Sequence, residues 1–285
     1  MLFLPAQCAR ILIMREILSD AFVDTLKFMP VLMICYLLIE YSEHHGQEGS
    51  GALISADPRF SVVLGSLVGL IPQCGFSVAA ASLYSRRIIS LGTLLAVFIA
   101  TSDEAMLMLI SAGALKDILV ILAGKFLLAL AVGLLADRFL KHGGHQESDK
   151  LLSYHEEHCE RGIVGEAIHH TLEISLYILI CNIVLNAAFS LLSGQLLARL
   201  LLQGSCMQVL LTALIGLFPN CAASVFIGSL YLKGTISFAA FFAGLVTISG
   251  LGYAALLKSR TKSSLMIILL ILLTGIAAGS LLYWF

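Results

Sequence analysis

The chain has 285 residues, 59% of them hydrophobic and 12% charged, with a mean hydropathy of +0.97 and a formal net charge of −1. A soluble domain carries about 25% charged residues; half of that, with apolar runs of about twenty residues, excludes a soluble globular fold and points to a membrane. The near-zero charge gives no footing for nucleic acid, and the seven cysteines, most of them in apolar stretches, form no disulfide framework.

The N-terminal stretch MLFLPAQCARILIMREILSDAF carries Arg10 and Arg15 after its apolar part and shows no small-residue cleavage site, so a cleaved signal is not expected. A helix is expected over 20–42, broken spans over 60–84 and 88–113, and a full span over 117–137. Residues 137–162 are hydrophilic. The pattern then restarts with a helix over 166–192, a short amphipathic piece over 195–203, broken spans over 206–232 and 235–257, and a last helix over 265–284. The fold class is an all-α polytopic membrane protein with about 8–10 transmembrane segments. The higher number applies if breaks at Pro72 and Pro219, or near Ser102 and Ser249, divide segments into half-helices.

One phrase occurs twice. Residues 69–84 read GLIPQCGFSVAAASLY and residues 216–231 read GLFPNCAASVFIGSLY; nine of the sixteen positions agree, at an offset of 147 (216 minus 69). The correspondence continues through Ile89-Ser90 with Ile236-Ser237 and Ser102 with Ser249, and upstream, at 146, through Thr25-Leu26 with Thr171-Leu172. The expected organisation is a first transmembrane repeat over 1–138, a His/Glu-rich polar linker over 139–162 and a second repeat over 163–285. Inverted repeats are favoured, because transporters with broken helices are commonly built that way. Lysine and arginine do not settle the orientation. In an eight-crossing arrangement Lys258, Arg260 and Lys262 fall on the side opposite Arg86 and Arg87.

Each repeat sets a proline within an apolar run. Proline removes a backbone donor, and the freed carbonyls cost several kcal/mol in hydrocarbon unless they line a polar cavity or meet protein donors. Gln73 and Asn220 beside Pro72 and Pro219, with Ser77 and Ser224 one turn on, are candidate partners. Cys74 and Cys221 add soft sulfur suited to zinc, copper(I) or trivalent arsenic. The plainer alternative is a packed kink in which each cysteine is a small apolar residue.

Residues 100–105, ATSDEA, put Asp103 and Glu104 into a run otherwise apolar from Ile88 to Ile110. A carboxylate at bilayer depth costs at least ~2.5 kcal/mol and marks a functional candidate. Two adjacent carboxylates do not share a helix face, so Ser102, Asp103 and Glu104 are expected at an unwound point, as oxygen ligands or proton carriers. The alternative is a loop between two short helices at the membrane surface. The matching second-half stretch, TISGLG over 247–252, has no carboxylate, so the site is expected to be asymmetric. His155, His158, His169 and Glu173 form a histidine-rich polar group, with His169 and Glu173 spaced i,i+4, that fits a weak accessory metal site or else ordinary solvated polarity.

GLIPQCGFS, the SRR turn, SLGTLLAVFIATSDEA, GLFPNCAASV and LYLKGTISF resemble the ten-helix heavy-metal exporters, also called manganese transporters or arsenic efflux-like permeases, over about residues 16–285. The resemblance implies a membrane permease. The chain departs from the denser cysteine motif of the arsenic permeases, having single motif cysteines at Cys74 and Cys221, which argues against three-thiol arsenic coordination.

No phosphate-binding loop, Ser-His-Asp set or HExxH motif is present, so neither a primary pump nor an enzyme is expected. The expected function is a secondary efflux transporter for a divalent heavy-metal ion, manganese first. The alternative is efflux of arsenite, an organoarsenical or another small anion. A membrane-embedded enzyme using Asp103 and Glu104, and a non-transporting metal sensor reading the histidine linker, are readings of other classes. No cofactor is expected beyond the transported ion. The partners are that ion and the lipid bilayer of a prokaryotic cytoplasmic membrane, with no nucleic acid and with a homo-oligomer open.

Overall fold

The structure, a computed structural model, describes residues 58–71, 75–86, 88–101, 104–139, 206–219, 221–258 and 264–284, together with helical residues at intervals between 19 and 37 and between 164 and 184. Ten helices stand among the described residues. They are α1 (Pro58–Gly69), α2 (Gly75–Ser85), α3 (Leu91–Ala100), α4 (Glu104–Ser111) and α5 (Leu115–Phe139), then α6 (Cys206–Gly216), α7 (Cys221–Leu232), α8 (Phe238–Thr247), α9 (Gly252–Lys258) and α10 (Ser264–Trp284). The protein is an all-α polytopic membrane protein.

Length decides which helices can cross. α5 has 25 residues and α10 has 21, enough at 1.5 Å per residue for a core of about 30 Å. α1, with 12 residues, reaches only ~18 Å, roughly half the bilayer. α3 with α4, over Leu91–Ser111, and α8 with α9, over Phe238–Lys258, make spans of crossing length.

Small residues set the packing directions. Gly65 lies against Thr93 and Val97, and Gly69 against Val97 and Ala100, so α1 and α3 run side by side in the same direction and end at one level. The chain leaves α1 at that level and re-enters α3 from the opposite end, so α2 must return towards the end where α1 began. α1 and α2 are therefore a re-entrant pair, not a crossing. α5 runs antiparallel to α3. Gly92 faces Gly133 and Asp137, and a Cβ on Gly92 would lie 2.2 Å from the Gly133 carbonyl oxygen. Such backbone-to-backbone approach is how membrane helices gain dispersion contact in place of a hydrophobic drive.

The second half packs the same way. Gly216 lies against Gly244 and Thr247, which sets α6 parallel to α8. Gly279 faces Ala239 and Ala243, and Gly275 faces Thr247, which sets α10 antiparallel to α8. Both inner helices start from a serine N-cap. Ser90 (φ −73, ψ 164) accepts from the Thr93 amide, and Ser237 (φ −71, ψ 158) from the Ala240 amide. Both stop where the backbone turns extended, at Thr101 (ψ 121) and Ile248 (ψ 112). Gly250, at φ 54, then takes the second break through a left-handed turn.

The halves meet through exchanged contacts. α2 packs on α9, where Gly252 lies against Ser77, and α7 packs on α4, where Gly228 lies against Ala105. α3 and α8 are buried along their length and touch at the centre. Outward faces of α5 and α10 are apolar and exposed, as at Leu119 (69%) and Leu265 (74%), which suits them to lipid.

Two expectations change. The Lys258 misplacement disappears: Leu256 clusters with Ala80, Ala81, Ile89 and Leu91, so α9 closes on the same end as α2. Arg59, Arg86, Arg138 and Lys258 thus share one end, with Lys116 and Lys233 at the other. The misplacement arose from taking 58–85 and 206–232 as crossings. Glu104, expected in the unwound stretch, instead opens α4.

Candidate functional site

The centre of the molecule is where α1, α3, α6 and α8 end and α2, α4, α7 and α9 begin. Four interruptions of the helical backbone converge there. Their freed carbonyls cannot be hydrated in a dry interior and must find side-chain donors.

At the first inner break the donor is a lysine. Lys125, 1% exposed in the middle of α5, donates through Nζ to the carbonyl oxygen of Thr101, the residue that caps α3. Thr101 turns its own hydroxyl back onto the Val97 carbonyl at 2.7 Å. At the second inner break the donor is neutral. Tyr253 Oη donates to the Thr247 carbonyl at 2.7 Å and sets its ring edge-on to Phe98 of the other half, centroids 5.6 Å apart. Ser249, in the second break, reaches across to the Phe98 carbonyl in the last turn of α3 at 3.4 Å. The Thr247 hydroxyl bonds the Ala213 carbonyl of α6 at 2.9 Å, tying two helix ends together.

The outer ends of the inner helices are pinned separately. Asp137 accepts from Ser90 Oγ and from the Gly92 amide, both at 2.8 Å, a carboxylate at a helix N-terminus where the dipole favours it. In the second half Gln208 does this with a neutral amide, accepting from the Ser237 amide and donating to the Thr235 carbonyl, each at 3.2 Å. Tyr231 at the end of α7 bonds Asp117 of α5 at 2.9 Å and stacks on Phe241 at 4.4 Å. The inner helices are therefore held at both ends.

The sequence-selected residues fall unevenly on this frame. Ser77 and Ser224 are fully buried in the first turns of α2 and α7. Pro219 is half-buried just before α7, and Cys221 is the first residue of α7. Pro72, Gln73, Cys74, Ser102, Asp103 and Asn220 lie outside the described residues, as do His155 and His158; for Glu104 and Cys221 only the helical backbone is described. His169 is exposed, and Glu173 is ion-paired with Lys258 at 3.2 Å, so that carboxylate already has a cation at the membrane end. Among the described residues no three His, Cys, Asp or Glu side chains gather.

Lys125 was not selected from the sequence. The signal was present: residues 118–136 of α5 contain a single charged side chain, and an ionisable group at bilayer depth is a functional candidate by default. It was hidden by a run long and apolar enough to read as a plain span.

The family model described as "Putative, 10TM heavy-metal exporter" matches residues 9–193. No curated protein and no solved structure matches the chain.

Proposed function

The chain belongs to the ten-transmembrane heavy-metal exporter family, and from that premise we propose that it is a secondary transporter that exports a divalent transition-metal ion, manganese first, across a prokaryotic cytoplasmic membrane. The observation that carries the reading is the convergence of interrupted helices at one buried level, with the inner helices α3 and α8 ending against each other. Interrupted helices of this kind present carbonyls and dipole ends to an ion at mid-membrane.

In this reading Asp103 and Glu104, in and just after the first inner break, neutralise the ion. Gln73, Asn220, Ser102, Ser77, Ser224 and opened carbonyls complete an oxygen-rich shell, and Cys74 and Cys221 bias it towards transition metals over magnesium or calcium. The two halves act as inverted repeats. That is supported by the matching pairs α2 on α9 and α7 on α4, and by re-entrant pairs that open from opposite ends. The end carrying Arg59, Arg86, Arg138 and Lys258 is then cytoplasmic, together with the 139–162 linker that follows α5. Export proceeds by one half rocking against the other.

The test is metal accumulation in cells expressing Asp103→Asn and Glu104→Gln. Loss of a ligand carboxylate is expected to lower export by at least about tenfold. Export at the parental rate in both variants would remove the assigned site.

A second reading rests on the starts of α2 and α7, whose N-terminal dipole ends face the same level and favour an anion. It predicts efflux of arsenite or another small anion. Cys74→Ser with Cys221→Ser separates the two, abolishing transport of a thiol-bound arsenical while only weakening manganese export.

A further inference from the structure

Ser249 carries the side-chain hydroxyl of the second inner break, and its bond differs from those of other buried hydroxyls. Ser66, Thr101, Thr212 and Thr247 each donate to a carbonyl of their own or an adjacent helix at 2.7–2.9 Å. Ser249, 0% exposed, donates to the Phe98 carbonyl of the other half at 3.4 Å, longer than the usual O–H···O range of about 2.5–3.0 Å. A hydroxyl shut away from water is costly unless it is well bonded, so this one is under-satisfied. Phe98 lies in the last turn of α3, where terminal carbonyls lack helical partners and the dipole is negative. The Thr101 carbonyl is taken by Lys125 and the Thr247 carbonyl by Tyr253. Two oxygens freed by the breaks are thus spent, and a cation between the breaks must draw on others. A hydroxyl that donates keeps both of its lone pairs. The Phe98 carbonyl holds the proton of Ser249 and leaves those lone pairs turned elsewhere, which is how an outer acceptor orients a metal ligand.

We propose that Ser249 is a ligand of the transported ion, the side-chain oxygen that the second inner break contributes, and that it sets the preference for a hard divalent ion over a soft one. The inference rests on the cation-export reading above. There Ser102 serves as a ligand, while Ser249, its repeat counterpart at an offset of 147 (249 minus 102), has no role. The ion takes a lone pair of Ser249 Oγ, and the hydroxyl stays protonated. Drawing electron density from the oxygen makes the O–H a stronger donor, so the bond to Phe98 shortens as the ion binds. Loading therefore pulls the second break onto the end of α3 and ties the halves together more tightly than in the empty protein. Gly250, at φ 54, gives the adjoining backbone the turn that such an adjustment uses. A neutral oxygen at this point suits manganese(II), whereas a sulfur there would suit cadmium(II).

The test is flux of manganese(II) chloride and of cadmium(II) chloride, each alone, into proteoliposomes holding the full chain. Ser249→Cys exchanges a hard oxygen for a soft sulfur and keeps a weak donor for Phe98. It is expected to raise the cadmium-to-manganese rate ratio at least about tenfold over the parent. Ser249→Ala is expected to lower manganese(II) flux at least about tenfold with its melting temperature in detergent unchanged, since a bond of 3.4 Å holds little. A hydroxyl that only clasps the halves together gives the opposite pattern. Ser249→Ala would then melt lower and Ser249→Cys would keep the parental ratio, and that result overturns the proposal. If Ser249→Ala does not fold, Ser249→Cys decides alone, an unchanged ratio again overturning it. The cation-export reading fails separately, by absence of manganese(II) flux in the parent, and takes this proposal with it; an unchanged ratio beside a parent that moves manganese(II) overturns this proposal alone.

Discussion

The two inner breaks are built alike and charged differently. Each follows a ten-residue buried helix with a serine N-cap, and each lies beside an antiparallel outer helix that approaches on glycine. Around the first stand Lys125 and, in sequence, Asp103 and Glu104; around the second stand Tyr253, Ser249 and Gly250. The outer ends repeat the contrast, with Asp137 in one half and Gln208 in the other. Backbone geometry that both halves share answers a folding problem. Each half answers it with its own side chains, charged in the first and neutral in the second. In the function proposed above, the ion's charge is met in the first half and the second half is its neutral frame.

The comparison can be strained first where the halves are most alike. Gly133→Leu and Gly279→Leu each push a side chain into a space where even a Cβ would lie 2.7 Å from Val62 Cγ1 or 2.5 Å from Ala243 Cβ. Both are expected to cost about 3 kcal/mol or more, and to remove folded protein from size-exclusion profiles. If one folds normally and the other does not, the two halves are less equivalent than their packing indicates.

A smaller effect probes the neutral break. Tyr253→Phe strands the Thr247 carbonyl in a dry interior, at an expected cost of about 1–3 kcal/mol, read as a lowered melting temperature in detergent. An unchanged melting temperature means that this carbonyl finds another donor. Smallest is Tyr231→Phe, which breaks the part-buried bond to Asp117 and leaves the stack on Phe241 in place. About 0.5–1.5 kcal/mol is expected in the same assay, and a loss as large as that of Tyr253→Phe would argue that the α5–α7 contact matters as much as the break.

Much of this frame is legible in the sequence, and the reasons are particular. Apolar runs placed every described helix of 58–139 and 206–284 to within a few residues. Pro219 and Ser249, with the Ser102 counterpart of the latter, marked where helices stop, because a missing donor or a competing hydroxyl ends a helix locally. Hydropathy cannot say whether a chain that reaches mid-membrane goes on or turns back. That depends on Gly65 and Gly69 meeting α3 in parallel, a contact between distant segments. The lengths held a warning, since 12 residues of α1 span only about half a bilayer. The sequence drew attention to the carboxylates of 103–104 and passed over Lys125, the one charge of residues 118–136, because the run around it is apolar enough to read as a plain span.

The central claim is that a divalent metal ion crosses through the break that carries the charge. Manganese(II) flux in proteoliposomes tests it most directly, with the parent compared against the Asp103→Asn, Glu104→Gln double variant. The parent is expected to move manganese(II) down an imposed gradient, and the double variant to do so at least about tenfold more slowly at equal protein content. Equal rates in the two, or no manganese(II) flux in the parent, would contradict it.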